Sequence, residues 1–271
     1  MYRKRFGFTN HPFAKDAHGD TFFDGSPGYG RLKANFKQLI DDPGLAIVTA
    51  EPGTGKTAAL RNLCAQLPRP DYQVVYLYDT AVSPLDLYRA LAIELGVKPS
   101  HRRSQLWRDI KNAIVHMVDE RASMPVIIID EAHHLSDKFL LDLSGFLNFA
   151  FDSRDLFTVW LAAHTSFAKR FKMQIHDALR SRSVVQVHLE AYDRETFAAF
   201  IDHGLRAVGA TQKLLSDPAL EQLFRTSRGL PRVAAKLSRA ALRLAHERNQ
   251  QFVDERTMDD ALASIAAPTI T

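Results

Sequence analysis

A single cysteine, Cys64, stands among 271 residues, so an intrachain disulfide is excluded and a reducing compartment fits. Long apolar runs are missing too. Stretches such as 126–129 and Phe157 to Ala163 fall far short of the ~20 residues that a membrane-crossing helix needs. The opening "MYRKRFGFTNHPF" carries charge but not the apolar segment of a secretory signal. There are no internal repeats and no low-complexity tracts; "APTIT" at 267–271 reads as a free tail. The expectation is therefore a cytoplasmic protein with no membrane partner.

What is present suits a packed core: 46% of residues are hydrophobic, enough for one to two domains of this length. The net charge of +4 is small, but basic residues cluster at 3–5, 102–103, 169–172 and 225–243. Such clusters either meet a polyanion or form solvated faces.

Five β-branched runs, at 44–50, 73–79, 125–130, 157–163 and 183–189, read as buried strands. Helical periodicity fills the gaps, as in Leu85, Tyr88, Leu91 and Leu95. Strands alternating with helices predict an α/β fold with a parallel five-stranded sheet flanked by helices. Beyond about residue 190 only helices are predicted, at 193–208, 216–227, 231–248 and 254–266. Asp193, Ser216 and Asp254 serve as N-caps, and Pro231 as a first helical residue. The expected division is 1–190, including a segment 1–25, and a small helical lid at 191–271.

The chemistry concentrates in "TAEPGTGKTAALRN" (49–62) and "PVIIIDEAHHL" (125–135). The first has the spacing of a phosphate-binding loop, with Ala50 in place of its first glycine. That substitution is harmless where φ is negative, because the cradle is made by backbone N–H groups of Pro52-Gly53-Thr54-Gly55-Lys56-Thr57-Ala58 (proline excepted) at a helix N-terminus. Lys56 reaches the β and γ phosphates, and the Thr57 hydroxyl takes a Mg2+ position. The second stretch delivers Asp130 and Glu131 to the end of a strand, Asp130 for Mg2+ and Glu131 to polarise an attacking water. "DEAH" also occurs in helicases, but those need a second lobe for which 271 residues leave no room. His133 and His134, being adjacent, are expected to point apart and make a poor metal pair.

These motifs resemble those of AAA+ ATPases, and in particular the compact ATPases of the ExeA-like and transposition-regulator (TnsC, MuB, TniB) group. The resemblance runs from "FGFTNHPF" (6–13), through both motifs above, to "SRGLPR" (227–232). It implies ATP and Mg2+ as cofactors, with Pro12 and Phe13 beside the adenine. It also implies His164 (or Thr165) as the polar sensor after the fourth strand, although Ala163 and Thr165 replace the glycine and proline common there. Arg182 or Arg180 becomes an arginine finger reaching a neighbouring subunit's γ-phosphate, and Arg232 a lid sensor. A finger supplied in trans implies self-association into a ring or filament with ATP. Lys98, Arg102 and Arg103, in the region that faces the channel in the transposition ATPases, become candidate phosphate contacts to duplex DNA. Two activities follow. One is an ATP-dependent, DNA-binding regulator of transposition that recruits a transposase; the other is the ATPase of a secretion-assembly system. The end of the chain just past the lid favours the first. A metabolic kinase would need neither the lid nor its sensor.

Overall fold

The computed structural model describes residues Tyr2–Ala266, so the tail at 267–271 lies outside the described residues. The chain divides into two compact units. One comprises residues 31–51 and 59–189; the other comprises 1–30, 52–58 and 190–271. The division thus does not fall at a single point near 190: segment 1–25 and the phosphate loop group with the C-terminal helices.

The first unit is built on a parallel sheet of β1 (Leu45–Ala50), β2 (Tyr72–Leu77), β3 (Met124–Ile129), β4 (Thr158–Ala163) and β5 (Ser183–Leu189), in the order β2-β3-β4-β1-β5. The fold class matches the sequence expectation. Parallel strands need crossover connections, and helices Pro84–Glu94, Arg103–Arg121 and Asp137–Phe146 supply them. β1 and β4 are buried at every residue. The edge strands β2 and β5 are buried only at alternate positions, leaving Val74, Tyr76 and Val184 exposed. The reading of all five runs as buried strands is corrected at these edges, because successive side chains point to opposite faces and only one face of each edge strand is covered. Trp160 is completely buried and stacks on Phe36 at 5.6 Å.

In the second unit the helices are Arg194–Arg206, Asp217–Ser227, Pro231–Glu247 and Glu255–Ala266. Asp193, Ser216 and Asp254 each accept a backbone N–H three residues on, at 2.8, 3.3 and 2.8 Å. Each such cap stabilises its helix by about 1 kcal/mol. Helix Pro231–Glu247 buries Ala234, Leu237, Ala241, Leu242 and Ala245 along one stripe, at the spacing a helix needs to keep one face inward. The N-terminal residues complete this core. Tyr2 and Phe8 join Phe197, Ile201 and Leu205, and the Thr9 amide donates to the Val208 carbonyl at 2.8 Å. No helix of the described residues is long and apolar enough to cross a membrane.

Candidate active site

The phosphate loop follows β1 directly. Ala50 ends that strand, is fully buried and is not among the residues with positive φ, as its replacement of glycine requires. Gly53 and Gly55 have φ of +89° and +107°, a region closed to most side chains. They bend the chain so that helix Lys56–Cys64 starts at the lysine itself, turning its first N–H groups toward the loop. Thr54 and Lys56 are buried, and Pro52 is exposed.

Within the same unit, Arg232 meets this loop. Its backbone N–H donates to the Gly53 carbonyl at 3.1 Å, satisfying one of the orphan donors at the start of helix Pro231–Glu247. A Cβ on Gly53 would lie 3.2 Å from the Arg232 Cβ, a tight contact that adds to the strain its positive φ would impose on any other residue. Pro12 is buried, and Phe13 adopts the left-handed region (φ 56°). The Phe13 ring packs on Phe200 at 5.3 Å and so tightly over Gly204 that a Cβ there would lie 2.2 Å from it. The Arg239 guanidinium donates to the Phe13 carbonyl at 2.9 Å, and Arg243 lies over the Tyr2 ring at 5.9 Å. Two arginines of the basic cluster at 225–243 are therefore spent on holding the N-terminal segment.

In the sheet unit, Asp130, 3% exposed, directly follows β3. Its Oδ1 accepts the Glu131 amide at 2.8 Å and its Oδ2 accepts the Tyr76 hydroxyl at 2.9 Å. Burial, followed by the Asp130 charge, pushes the Tyr76 hydroxyl well above the usual phenol range, so it remains a donor. Tyr76 is a partner that sequence reading missed. It sits on the neighbouring strand, in register with Ile128, and no local motif marks it.

Glu131 also adopts the left-handed region, with φ 50° and ψ 35°. Its carbonyl accepts the Thr80 hydroxyl at 2.9 Å, and its carboxylate stays exposed. The next three residues form a short 3-10 turn, Ala132–His134. Here the sequence expectation fails: the His133 and His134 rings do not point apart but lie 4.1 Å from each other, centroid to centroid. The tight turn and the backward bend at Glu131 fold both rings to one side.

β4 lies between β3 and β1, pairing Leu161 with Ile129 and Ala163 with Thr49. His164 thus emerges beside the ends of both strands. Its Nε2 lies 3.3 Å from Oε2 of Glu51, its amide donates to Nδ1 of His133 at 3.4 Å, and Thr165 donates to Oε1 of Glu51 at 2.5 Å. Both sensor candidates engage Glu51, a second residue that nothing in the sequence singled out.

The arginine candidates are held by carboxylates of their own chain. Arg182 makes a two-pronged pair with Asp152, at 2.5 and 2.8 Å, and Arg180 pairs with Asp177 and donates to the Lys172 carbonyl at 2.9 Å. The Arg182 hydrogen bonds hold the Asp152 carboxyl below the usual carboxylate range. A further network ties Asp137 to Arg170 (2.8 Å) and to the buried His176 (3.0 Å), while Arg170 also donates to the His133 carbonyl at 3.2 Å. It joins the turn after β3 to the segment preceding the arginines.

Of the DNA candidates, Lys98 and Arg102 are exposed and form no ion pair among the described residues. Arg103 differs. It opens helix Arg103–Arg121, pairs with Asp142 at 2.7 Å and stacks on Trp107 at 4.4 Å. Its charge is partly answered within the chain, although the residue stays exposed.

A parallel sheet with the phosphate-loop strand between β4 and β5, and an acidic pair at the end of β3, defines the fold of AAA+ P-loop NTPases. Residues 40–171 match the family model described as AAA domain. The chain is similar to the General secretion pathway protein A of Aeromonas hydrophila, at 26% identity over 256 residues, 93% of this chain. It spans only 46% of that relative's length. Among solved structures it resembles Cdc6p from Pyrobaculum aerophilum (TM-score 0.69, 14% identity, covering 98% of this chain and 74% of that one). It also resembles the Aeropyrum pernix ORC1 protein, solved in complex with DNA (TM-score 0.63, 18% identity, 88% and 64%). The sequence relative favours the secretion-assembly reading over the transposition reading, and no comparison supports a transposase partner.

Proposed function

We propose that the protein is a magnesium-dependent ATPase that completes its site by self-association and serves a secretion-assembly system. The observation that carries the ATPase reading is the loop itself, with two left-handed glycines opening a helix at Lys56. The secretion reading rests on the similarity over 93% of this chain to General secretion pathway protein A.

The backbone amides of 53–58 bind the phosphates, the Lys56 ammonium orients the terminal ones, and Arg232 senses them from the lid. Pro12 and Phe13 flank the adenine. The donor chemistry suits Mg2+: the Thr57 hydroxyl and the Asp130 carboxylate are hard oxygen ligands. When bound, the ion neutralises charge on the triphosphate. Glu131 takes the proton side of the attacking water, and His164 or Thr165 reads the γ-phosphate. Arg182 or Arg180, released from its own carboxylate, reaches the γ-phosphate held by a neighbouring copy.

The transposition reading keeps one favourable observation, the exposed Lys98 and Arg102. Light scattering with and without Mg-ATP, in the presence and absence of random duplex DNA, separates the two. The secretion reading expects ATP-driven assembly that needs no DNA. ATP-dependent duplex binding that weakens steeply with salt and is lost in Arg102→Glu would replace it with the transposition reading. A protein that stays monomeric with ATP removes the trans-acting arginine.

A further inference from the structure

We propose that Glu131, His133 and His134 form a transition-metal site, suited to Zn2+, whose filling arrests hydrolysis by engaging the Glu131 carboxylate. The binding claim stands on geometry alone; the arrest rests on the role given to Glu131 under Proposed function.

One ligand atom from each of the three residues lies within 4.8 Å of the other two. One pair is already at working distance: Oε2 of Glu131 lies 3.4 Å from Nδ1 of His133. Zn–N and Zn–O bonds of about 2.0–2.1 Å at tetrahedral angles separate neighbouring ligand atoms by roughly 3.3–3.5 Å. His134 is exposed, so a rotation of its side chain is enough to bring the third donor in. The left-handed backbone at Glu131 and the short turn after it produce this convergence, by folding the carboxylate and both rings to the same side. The His164 amide reaches the same Nδ1 of His133 at 3.4 Å, a long contact that a metal displaces easily.

Ligand type separates this site from the magnesium position. Two imidazoles and one carboxylate suit zinc, with water in the fourth place, whereas Mg2+ prefers oxygen donors throughout. A carboxylate bound to zinc gives up electron density to the metal and is held toward it, which leaves it too weak and too badly aimed to serve as base for the attacking water. Hydrolysis stops while nucleotide binding through 52–58 continues. The device makes the ATPase sensitive to free zinc.

The test titrates Zn2+ alone into the metal-free full chain by calorimetry, with Co2+ as a spectroscopic substitute. The variants are His134→Ala, Lys56→Ala and, as a control, His116→Ala, whose histidine pairs with Glu120 at 2.8 Å. The proposal expects one zinc per chain with tetrahedral Co2+ bands, both unchanged in the Lys56 and His116 variants. In His134→Ala the affinity should fall by about tenfold or more. With Mg-ATP in excess, zinc should stop turnover of the wild type over the same range that fills the site. His134→Ala should keep its turnover there. Equal zinc affinity in wild type and His134→Ala overturns the site. Zinc binding as expected with unaffected turnover overturns the arrest. Zinc binding as expected in a chain that never hydrolyses ATP leaves the site standing and sinks the ATPase reading instead.

Discussion

Replacing Tyr76 by phenylalanine removes one hydroxyl and tests whether Asp130 is oriented from the neighbouring strand. The hydroxyl donates to Oδ2 at 2.9 Å, while the Glu131 amide holds Oδ1. A hydrogen bond to a charged group contributes about 1.5–3 kcal/mol, and since Tyr76 is half exposed the lower figure of about 1.5 applies. That corresponds to roughly a tenfold change in an equilibrium constant. The apparent Mg2+ half-saturation of ATP hydrolysis should therefore rise about tenfold, within the range for losing a partner of a metal ligand. ATP affinity measured with EDTA should stay within about twofold, because nothing at 52–58 is touched. Stability should fall as well, by a few degrees in Tm (about 2–4 °C per kcal/mol for chains of this size). Tyr78→Phe is the control, since Tyr78 is 71% exposed and stacks on Tyr76 at 6.1 Å. An unchanged Mg2+ dependence in folded Tyr76→Phe, or an equal effect in Tyr78→Phe, refutes the assignment.

Other outcomes follow from the same geometry. Asp152→Asn frees Arg182 from its two-pronged partner, so ATPase activity at assembling concentrations should rise a few-fold at most; a fall would mean the pair is needed to shape the interface. The Arg170 hydrogen bond, with help from His176, holds the Asp137 carboxyl below the ordinary aspartate value of 3.8. A lowered folded pKa contributes stability that is complete above that value and is lost as pH falls through and below it. The decline of Tm on acidification below pH 3.8 should accordingly be shallower in Asp137→Asn than in wild type. Burial pushes the Cys64 thiol up to about 12, so alkylation at neutral pH should be slow in the native chain and track unfolding in denaturant.

The parts of this molecule written in consecutive residues were legible in its sequence. The five strands followed from β-branched runs, and the caps at Asp193, Ser216 and Asp254 from single polar residues before apolar periodicity. The loop at 52–58 was legible because its function needs a fixed spacing of glycine, lysine and threonine. What escaped was whatever depends on neighbours across the sheet. Tyr76 reaches Asp130 only because β2 pairs with β3, and Glu51 meets His164 only because β4 inserts beside β1. Adjacent histidines read as diverging because strand alternation was the default expectation, whereas the left-handed turn at Glu131 gathers them. The pairing of Arg103 with Asp142 was likewise invisible, because the two are far apart in sequence.

The central claim is that residues 52–58 bind the phosphates of ATP. Calorimetric titration of Mg-ATP into wild type and Lys56→Ala tests it most directly. Loss of the lysine's charge-assisted hydrogen bonds, about 1.5–3 kcal/mol, predicts saturable binding in wild type and an affinity about ten- to a hundredfold weaker in the variant. Equal affinity in the two proteins contradicts the account.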